Sequence, residues 1–509
     1  MTSPSSLSAR RSAAAGAGQR RHNLLVLMLP ALGSIITAID NNIVYVALPS
    51  IGHELGFSAQ TLQWVVSAYA VIYGGFLLLG GRMSDLLGRR RMFVLGLGLF
   101  AVASLAGGLA GTPEVLIAAR AVQGLGGAVL FPATLALVTS GFAEGSERNR
   151  ALSVWAGAGA SGLVLGSLLG GVLTQAFGWE AVFYVNVPVA VAGIILALAL
   201  LPADEPRRER ARVDYPGALA ATGGVSLLVL ALVQGPEIGW RSPVVLSAAV
   251  AGVLLLVAFV VIQARAAEPL MPLRLLRHRN LAVGVLLTFA FAVTFLPQLY
   301  FATVYFQSVH GYDALRTGAA FLVPMAGAMV GSSQGARLTA RLGNRRTLLL
   351  GLALGTAGAA WFGLAMTGPM TGPMTGPMTG PMTGPMTGPM TGPITGTYLA
   401  VAPGLLLLGL GQGTVYSAVF AAASAGVPGP DQGVASGMAS TGLQVGSAVG
   451  LAVLVALANA GTHGLAGQAL RAAVTDGLRT AVFIAAAAMA ASMLIALGFR
   501  EEGAHRVTA

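Results

Sequence analysis

The chain lacks cysteine and lysine altogether and contains few charged residues of any kind. Without cysteine it can form neither disulfides nor thiolate metal sites. Without lysine it cannot complete a phosphate-binding loop of the GxxxxGK[ST] type, so that route to nucleotide use is excluded. Charged residues make up 9% of the sequence and hydrophobic residues 55%, with a mean hydropathy of +0.77. This composition is typical of an integral membrane protein.

Arginine supplies all of the positive charge, and the formal net charge is +11. The 29 arginines fall in short clusters between apolar runs and form no basic face interleaved with aromatics, which argues against nucleic-acid binding. If the N-terminus is inside the cell, 24 arginines lie in inside segments, four lie outside, and Arg120 falls within an apolar run. Because cytoplasmic loops retain positive charge, both termini are predicted to be cytoplasmic.

Apolar runs recur along the whole chain, and a spanning helix needs about 20 such residues. The runs predict fourteen transmembrane helices, at residues 24–47, 60–80, 91–111, 114–140, 150–174, 180–202, 215–234, 243–264, 280–303, 317–336, 347–366, 397–423, 434–459 and 478–499. An even number of spans agrees with termini on the same side of the membrane.

The segments around these runs divide the chain into domains. Residues 1–22 lack periodicity and predict a disordered basic cytoplasmic tail, followed by an N-terminal six-helix bundle at 23–203. Residues 204–279 contain cytoplasmic linkers and two inserted helices. A C-terminal six-helix bundle is predicted at 280–499 and a second cytoplasmic tail at 500–509.

A low-complexity TGPM repeat occupies residues 367–394, in a predicted extracellular loop. Proline and glycine every four residues oppose a helix and favour an extended coil. The evenly spaced methionines would suit Cu(I), but replication slippage into a tolerant loop explains them without a function. We therefore predict no metal site.

Two segments resemble each other at an offset of 255 residues. GRMSDLLGRRR, from Gly81 to Arg91, aligns without gaps with ARLTARLGNRR, from Ala336 to Arg346. Each follows the second helix of a six-helix set if the seventh and eighth helices are an inserted pair. The predicted fold is all-α, with two parallel six-helix halves around a central path, an arrangement used by alternating-access transporters.

Several motifs also resemble those of one transporter family. GGRMSDLLGRRR, RAVQGLGGAVLFPA and LVLGSLLGGVL resemble the loop 2–3, helix 4 and helix 5 motifs of the major facilitator superfamily. IDNNIVYVALP, LQWVVSAYA and WEAVFYVNVPVA are similar to its fourteen-helix drug:proton antiporters. The resemblance extends from Asn23 to about Phe499, apart from the TGPM insert. It implies the major facilitator fold and export driven by a proton gradient, with no cofactor.

Asp40 and Arg120 are charged residues that lie well inside the predicted spans, away from their ends. At 1.5 Å per residue, Asp40 lies about 24 Å from the inner face and Arg120 about 9 Å below the outer face, so both occupy the outer half and can pair. Burial favours a protonated carboxyl group and a nearby arginine favours an ionised one, so Asp40 is suited to proton exchange. A static bridge between the first and fourth helices is the alternative. The family resemblance implies that the acid couples transport to protons and that the arginine takes part in proton transfer.

The resemblance implies that the loop after the second helix acts as a conformational latch. In it Gly81 would allow close packing, and Asp85 would accept hydrogen bonds from a helix N-terminus in the other half. The residues of this predicted latch are Gly81, Asp85, Gly88, Arg89 and Arg90.

The fifth predicted helix contains small residues at four-residue spacing, which make a smooth packing face. They are Gly162, Gly166, Ser167, Gly170 and Gly171. Ser167 stands where antiporter relatives usually have proline.

Polar and aromatic side chains within the spans are candidates for a substrate cavity, although each could equally satisfy an interhelical contact. They are Asn41, Gln63, Trp64, Tyr69, Tyr73, Gln123, Asn186, Gln298, Gln412, Tyr416 and Gln444. Gln123 also shares a helix face with Arg120 and could orient its guanidinium.

These observations predict a proton-coupled efflux transporter that exports an antibiotic or other amphipathic drug across a bacterial cytoplasmic membrane and confers resistance. The alternative is a proton-coupled transporter of one native metabolite. The sequence shows no catalytic constellation of His, Asp and Ser, so no enzyme is predicted. The expected partners are the drug, protons and membrane lipid, with no nucleic acid, and the chain is expected to be a monomer.

Overall fold

Fourteen helices account for nearly all of the chain that the structure, a computed structural model, describes. The described residues are 4–58, 61–142, 146–204, 214–266, 269–366, 394–424, 432–462, 465 and 467–499. The helices are α1 (Pro4–Leu55), α2 (Trp64–Leu87), α3 (Arg89–Gly108), α4 (Pro113–Gly141), α5 (Ser146–Phe177), α6 (Ala181–Leu200), α7 (Tyr215–Ile238), α8 (Pro243–Arg265), α9 (Arg279–Val309), α10 (Ala314–Leu342), α11 (Asn344–Ala365), α12 (Ile394–Ser424), α13 (Gln432–Ala458) and α14 (Gly467–Leu497).

Each predicted apolar run coincides with one of these helices. Thirteen described helices are long and apolar enough to cross a membrane, and α2 contributes a shorter apolar stretch at Thr61–Leu77. The all-α prediction is therefore confirmed.

One domain prediction was wrong. Residues 4–22 were expected to be a disordered tail, but α1 begins at Pro4 and continues without a break into the first span. The segment is rich in alanine and arginine, which are among the best helix formers, and it has no proline between Pro4 and Pro30. The TGPM repeat at 367–393 and the tail at 500–509 lie outside the described residues.

Prolines interrupt three of the described spanning helices. The helix α9 is broken at Leu296, directly before Pro297. In α6 the helix is broken at Val185, three residues before Pro188, and in α10 it is broken at Phe321, three residues before Pro324. Proline has no N–H to donate, so each frees a backbone carbonyl one turn earlier. In α10 the freed carbonyl of Ala320 accepts a hydrogen bond of 2.9 Å from the Tyr398 hydroxyl.

The helices form two six-helix halves, α1–α6 and α9–α14, with α7 and α8 packed beside them as an inserted pair. α7 lies against both α2 and α13, where Val225, Val229 and Val233 join one apolar cluster with residues of those helices. The repeat is confirmed by local geometry, because Gly88 (φ +103°) and Gly343 (φ +83°) each end a second helix and start a third.

Contacts between the halves join the ends of helices that lie away from the two termini. The Gln307 amide of α9 donates to the Val46 carbonyl of α1 at 2.9 Å. Further toward the middle, the Asn42 amide of α1 lies 3.2 Å from the Met325 sulfur of α10. The two halves are therefore closed together on the side opposite the chain termini.

Candidate functional site

Asp40 and Arg120 meet inside the N-terminal half, as the depth arithmetic predicted. An Arg120 guanidinium N–H donates to Asp40 Oδ2 at 2.7 Å, and the two side chains are 2% and 0% exposed. Arg120 Nε donates to the Val65 carbonyl of α2, also at 2.7 Å. Its guanidinium lies 4.5 Å from the ring centroid of Tyr69, so cation–π attraction adds to the ion pair.

Gln123 joins the same network through both ends of its amide. Its Oε1 accepts from Arg120 at 2.6 Å, and its Nε2 donates to Asp40 Oδ1 at 2.7 Å and to the Ser104 hydroxyl of α3 at 2.9 Å. The predicted contact with the guanidinium is confirmed. The spacing of three residues from Arg120 places both side chains on one face of α4.

Asn186 completes the surroundings of the carboxylate. Its Nδ2 donates to Asp40 Oδ1 at 3.2 Å, and it is 2% exposed. Both Asp40 oxygens therefore accept hydrogen bonds, from one guanidinium and two amides on α4 and α6. An ionised carboxylate is an acceptor only, so this arrangement fits the charged form.

The glycines of α4 let neighbouring helices approach this network. A Cβ on Gly124 would lie 2.5 Å from the Tyr69 carbonyl of α2, and a Cβ on Gly126 would lie 2.9 Å from the Phe100 nitrogen of α3. A side chain at Gly124 would push α2 and its Tyr69 away from α4, and one at Gly126 would push α3 away.

The predicted latch differs from expectation in its packing. A Cβ on Gly81 would meet nothing closer than 3.8 Å, so close packing at Gly81 was a wrong prediction. The close approach occurs one residue earlier, at Gly80, whose backbone abuts the Ala128 carbonyl of α4. Successive residues of a helix differ by about 100° in direction, and that rotation decides which glycine faces the neighbour.

Asp204 caps the start of α3 at this loop. Its carboxylate accepts from the backbone N–H groups of Arg90 and Arg91 at 3.1 and 2.9 Å, at the N-terminus of α3. Gly88 has a positive φ and lies directly against the same carboxylate. The Arg90 guanidinium also donates to the Leu198 carbonyl at 2.7 Å. The side chain of Asp85 is not among the side chains that the structure describes.

The small residues of α5 form the smooth face that was predicted, and it packs on α1. A Cβ on Gly162, Gly166 or Gly170 would lie 2.6–2.8 Å from a backbone carbonyl of α1. The other edge of α5 meets the opposite half, because a Cβ on Gly171 would lie 2.7 Å from the Ala314 carbonyl of α10. Ser167 is buried, and its hydroxyl lies 3.5 Å from the Asn42 amide.

Aromatic side chains contact one another within each half. Tyr73 contacts Phe131, with ring centroids 6.4 Å apart, and Phe131 contacts Trp155 at 5.4 Å. In the other half Tyr416 lies 6.1 Å from Phe291. Tyr73 and Tyr416 interact electrostatically, although they belong to different halves.

The remaining predicted cavity residues are scattered. Asn41 bonds its own helix at the Thr37 carbonyl, and Trp64 packs in the cluster shared by α2, α7 and α13. Gln63 is fully buried, and its amide has no hydrogen-bond partner among the residues that the structure describes. The amide of Gln298 donates to its own helix at Thr294, and the Gln444 side chain packs on Gly74. Gln412 of α12 is partly buried.

Sequence reasoning missed Ser104, Asp204 and the rings of Phe131, Trp155 and Phe291. A serine or phenylalanine in an apolar run carries no signal of its own. Asp204 follows α6 in the sequence LPAD, where an acid after a span reads as an ordinary solvated loop residue. Within the described residues, no three His, Asp or Glu side chains come together to hold a metal ion.

Comparisons with known proteins agree with this architecture. The sequence model of the Major Facilitator Superfamily matches residues 31–214 and 215–450. A cephamycin export protein of Amycolatopsis lactamdurans is 40% identical over 341 residues, which cover 66% of this chain and 70% of that protein. A puromycin resistance protein of Streptomyces alboniger is 40% identical over 353 residues, 68% of each chain.

A solved structure shares the fold at low sequence identity. The crystal structure of a bacterial homologue of the human lysosomal transporter Spinster, in an inward-facing and unoccupied conformation, superimposes with a TM-score of 0.60. It is 16% identical, and the match covers 94% of this chain and 98% of that one.

Proposed function

The chain belongs to the Major Facilitator Superfamily, and we propose that it exports an antibiotic or other amphipathic drug in exchange for protons. The relatives described above are named for antibiotic export and resistance, which supports a drug as the cargo. The transporter would need no cofactor beyond the proton gradient. It would work as a monomer in the cytoplasmic membrane of a bacterium, surrounded by lipid, with both termini in the cytoplasm.

The observation that carries proton coupling is the buried carboxylate of Asp40. A charged group within a membrane span is costly and usually has a functional reason. Here the acid is held by Arg120, Gln123 and Asn186 inside one half of the protein. One proton moving inward through 100 mV releases about 2.3 kcal/mol, which sustains a drug gradient of about fifty-fold.

The aromatic rings of the two halves support a flat, aromatic cargo. Tyr73, Phe131 and Trp155 on one side and Tyr416 and Phe291 on the other offer aromatic faces to a flat, largely apolar molecule. Tyr416 is 45% exposed although it lies in a span, so its ring is available for contact. With the termini in the cytoplasm, the contacts between the halves close the outer side, and this conformation would load drug from within.

The experiment is a drug panel on a susceptible host that expresses wild type, Asp40→Asn or an empty vector. Intracellular drug is measured before and after an ionophore collapses the proton gradient. We expect wild type to lower the accumulation of at least one aromatic drug, and both Asp40→Asn and the ionophore to abolish the effect. Wild-type export that persists without a gradient would contradict proton coupling. An absence of any effect across the panel would favour the transport of one native metabolite.

A further inference from the structure

The partners of Asp40 differ in their freedom to rearrange when the acid takes up a proton. Protonation puts an O–H on one of its oxygens, and that hydrogen then needs an acceptor. In this structure every partner presents a donor instead: Arg120 to Oδ2, and Gln123 and Asn186 to Oδ1. At least one partner must therefore change before the buried acid can be neutral with its hydrogen bonds satisfied.

Gln123 is locked in its present orientation. Its Oε1 receives a guanidinium N–H at 2.6 Å, while its Nε2 serves both Asp40 and the Ser104 hydroxyl. Turning the amide over would point its NH₂ group at the Arg120 donor. Arg120 has no acceptor to offer, because a guanidinium carries N–H groups only.

The Asn186 amide is not held in one orientation in this way. Its contact with Asp40 is the longest of the three, at 3.2 Å, and its other hydrogen bond is a 3.5 Å contact from the same NH₂ group to the Val182 carbonyl of its own helix. It also follows the break of α6 at Val185. A rotation of the amide costs only this long contact and brings the carbonyl oxygen toward Asp40.

We propose that Asn186 is a positioning residue for Asp40, whose amide donates to the ionised carboxylate and turns over to accept from the protonated acid. This inference rests on the proposed function, since it assigns a role within proton exchange. The proton adds to Oδ1, where Asn186 approaches, and Oδ2 keeps its bond to Arg120. Asn186 thus lets both protonation states of Asp40 have satisfied hydrogen bonds.

Within the described part of the chain, few charged or titratable groups face this network. Arg120 approaches from α4, Tyr69 from α2, and Tyr45 of α1 interacts with Arg120. The groups from α3 and α6, Ser104 and Asn186, are neutral. A variant of Asn186 therefore changes hydrogen bonding at Asp40 without changing the charge around it.

The test is a pH titration of the purified protein by infrared difference spectroscopy, which follows the carbonyl band of a protonated carboxyl group. Asp40→Asn identifies the band that belongs to Asp40. Asn186→Leu removes both donor and acceptor at similar size, and Asn186→Gln retains them. The control is Ser492→Ala on α14, a buried residue whose hydroxyl bonds only its own helix at Ala488.

We expect Asn186→Leu to move the carbonyl band of protonated Asp40 to higher frequency, because the neutral acid then loses the acceptor for its O–H. Asn186→Gln should restore most of the band position, and Ser492→Ala should leave the band at its wild-type position. A band position in Asn186→Leu equal to that of Ser492→Ala would overturn the proposal, as would a wild-type Asp40 that never protonates. If Asn186→Leu fails to fold, Asn186→Ala, which also lacks a side-chain donor and acceptor, carries the same expectation.

The proposal of proton coupling and the proposal for Asn186 can be refuted independently of each other. The titration needs no drug and no gradient, so a shifted band together with gradient-independent export would leave the role of Asn186 intact and remove proton coupling. An unshifted band together with gradient-dependent export would do the reverse.

Discussion

Closure of the two halves depends on glycine contacts between α5 and α10, and one methyl group should disturb it. A Cβ on Gly318 would lie 2.6 Å from the backbone oxygen of Ser167 and 3.3 Å from the Cα of Gly171. Ordinary van der Waals contact begins at 3.4 Å, so the helices would have to separate by about 0.8 Å. A backbone oxygen cannot rotate out of the way as a side chain can.

The expected size of the effect follows from overpacking. Forcing an extra methyl into a tight contact costs about 1–3 kcal/mol. In Gly318→Ala this cost falls on the conformation closed on this side and is relieved when the halves part. The ratio of open to closed molecules should therefore rise by about five- to 150-fold.

Because the chain contains no cysteine, one introduced cysteine can be labelled specifically. Met325→Cys places a single thiol at the contact between the halves, where Met325 is 6% exposed and lies against Asn42. In intact cells, a membrane-impermeant maleimide should label this thiol faster in Gly318→Ala than in the unaltered background. The matched control is Gly98→Ala on α3, where a Cβ would meet no heavy atom within 4 Å. Equal labelling rates in the two variants would refute the reasoning.

Three further substitutions test other contacts. Gly88→Ala should lower the melting temperature more than Gly98→Ala does, because Gly88 combines a positive φ with direct contact to Asp204 and strain of this kind costs about 1–3 kcal/mol. Asp204→Ala should cost about 0.5–2 kcal/mol of unfolding free energy through lost capping of α3, measured by denaturant titration; an unchanged value would contradict the capping role. Arg120→Lys should abolish gradient-dependent drug export, since an ammonium cannot reproduce the planar guanidinium that bonds Asp40, Gln123 and the Val65 carbonyl together. Wild-type export by that variant would show that charge alone suffices.

The amino-acid sequence predicts those features that depend on position along the chain. Membrane spans follow from runs of apolar residues, and the duplication follows from matching loops, including the glycines at 88 and 343 that both adopt positive φ. The contact between Asp40 and Arg120 was predictable from depth alone. Two isolated charges at one level of the membrane have a strong reason to pair, whatever the rotation of their helices.

Only the tertiary structure decides what depends on how each helix is rotated and tilted about its axis. Neighbouring residues of a helix point about 100° apart, so Asn42 reaches the opposite half whereas Asn41 bonds its own helix. Packing turns Asn186 away from the expected drug cavity toward Asp40, and it brings Asp204 to the start of a helix more than a hundred residues earlier. These rotations are set by close contacts among many small and apolar side chains, none of which has a distinctive local pattern. Composition and depth therefore determined that a charged pair lies in the membrane, and helix packing determined which neutral residues surround it.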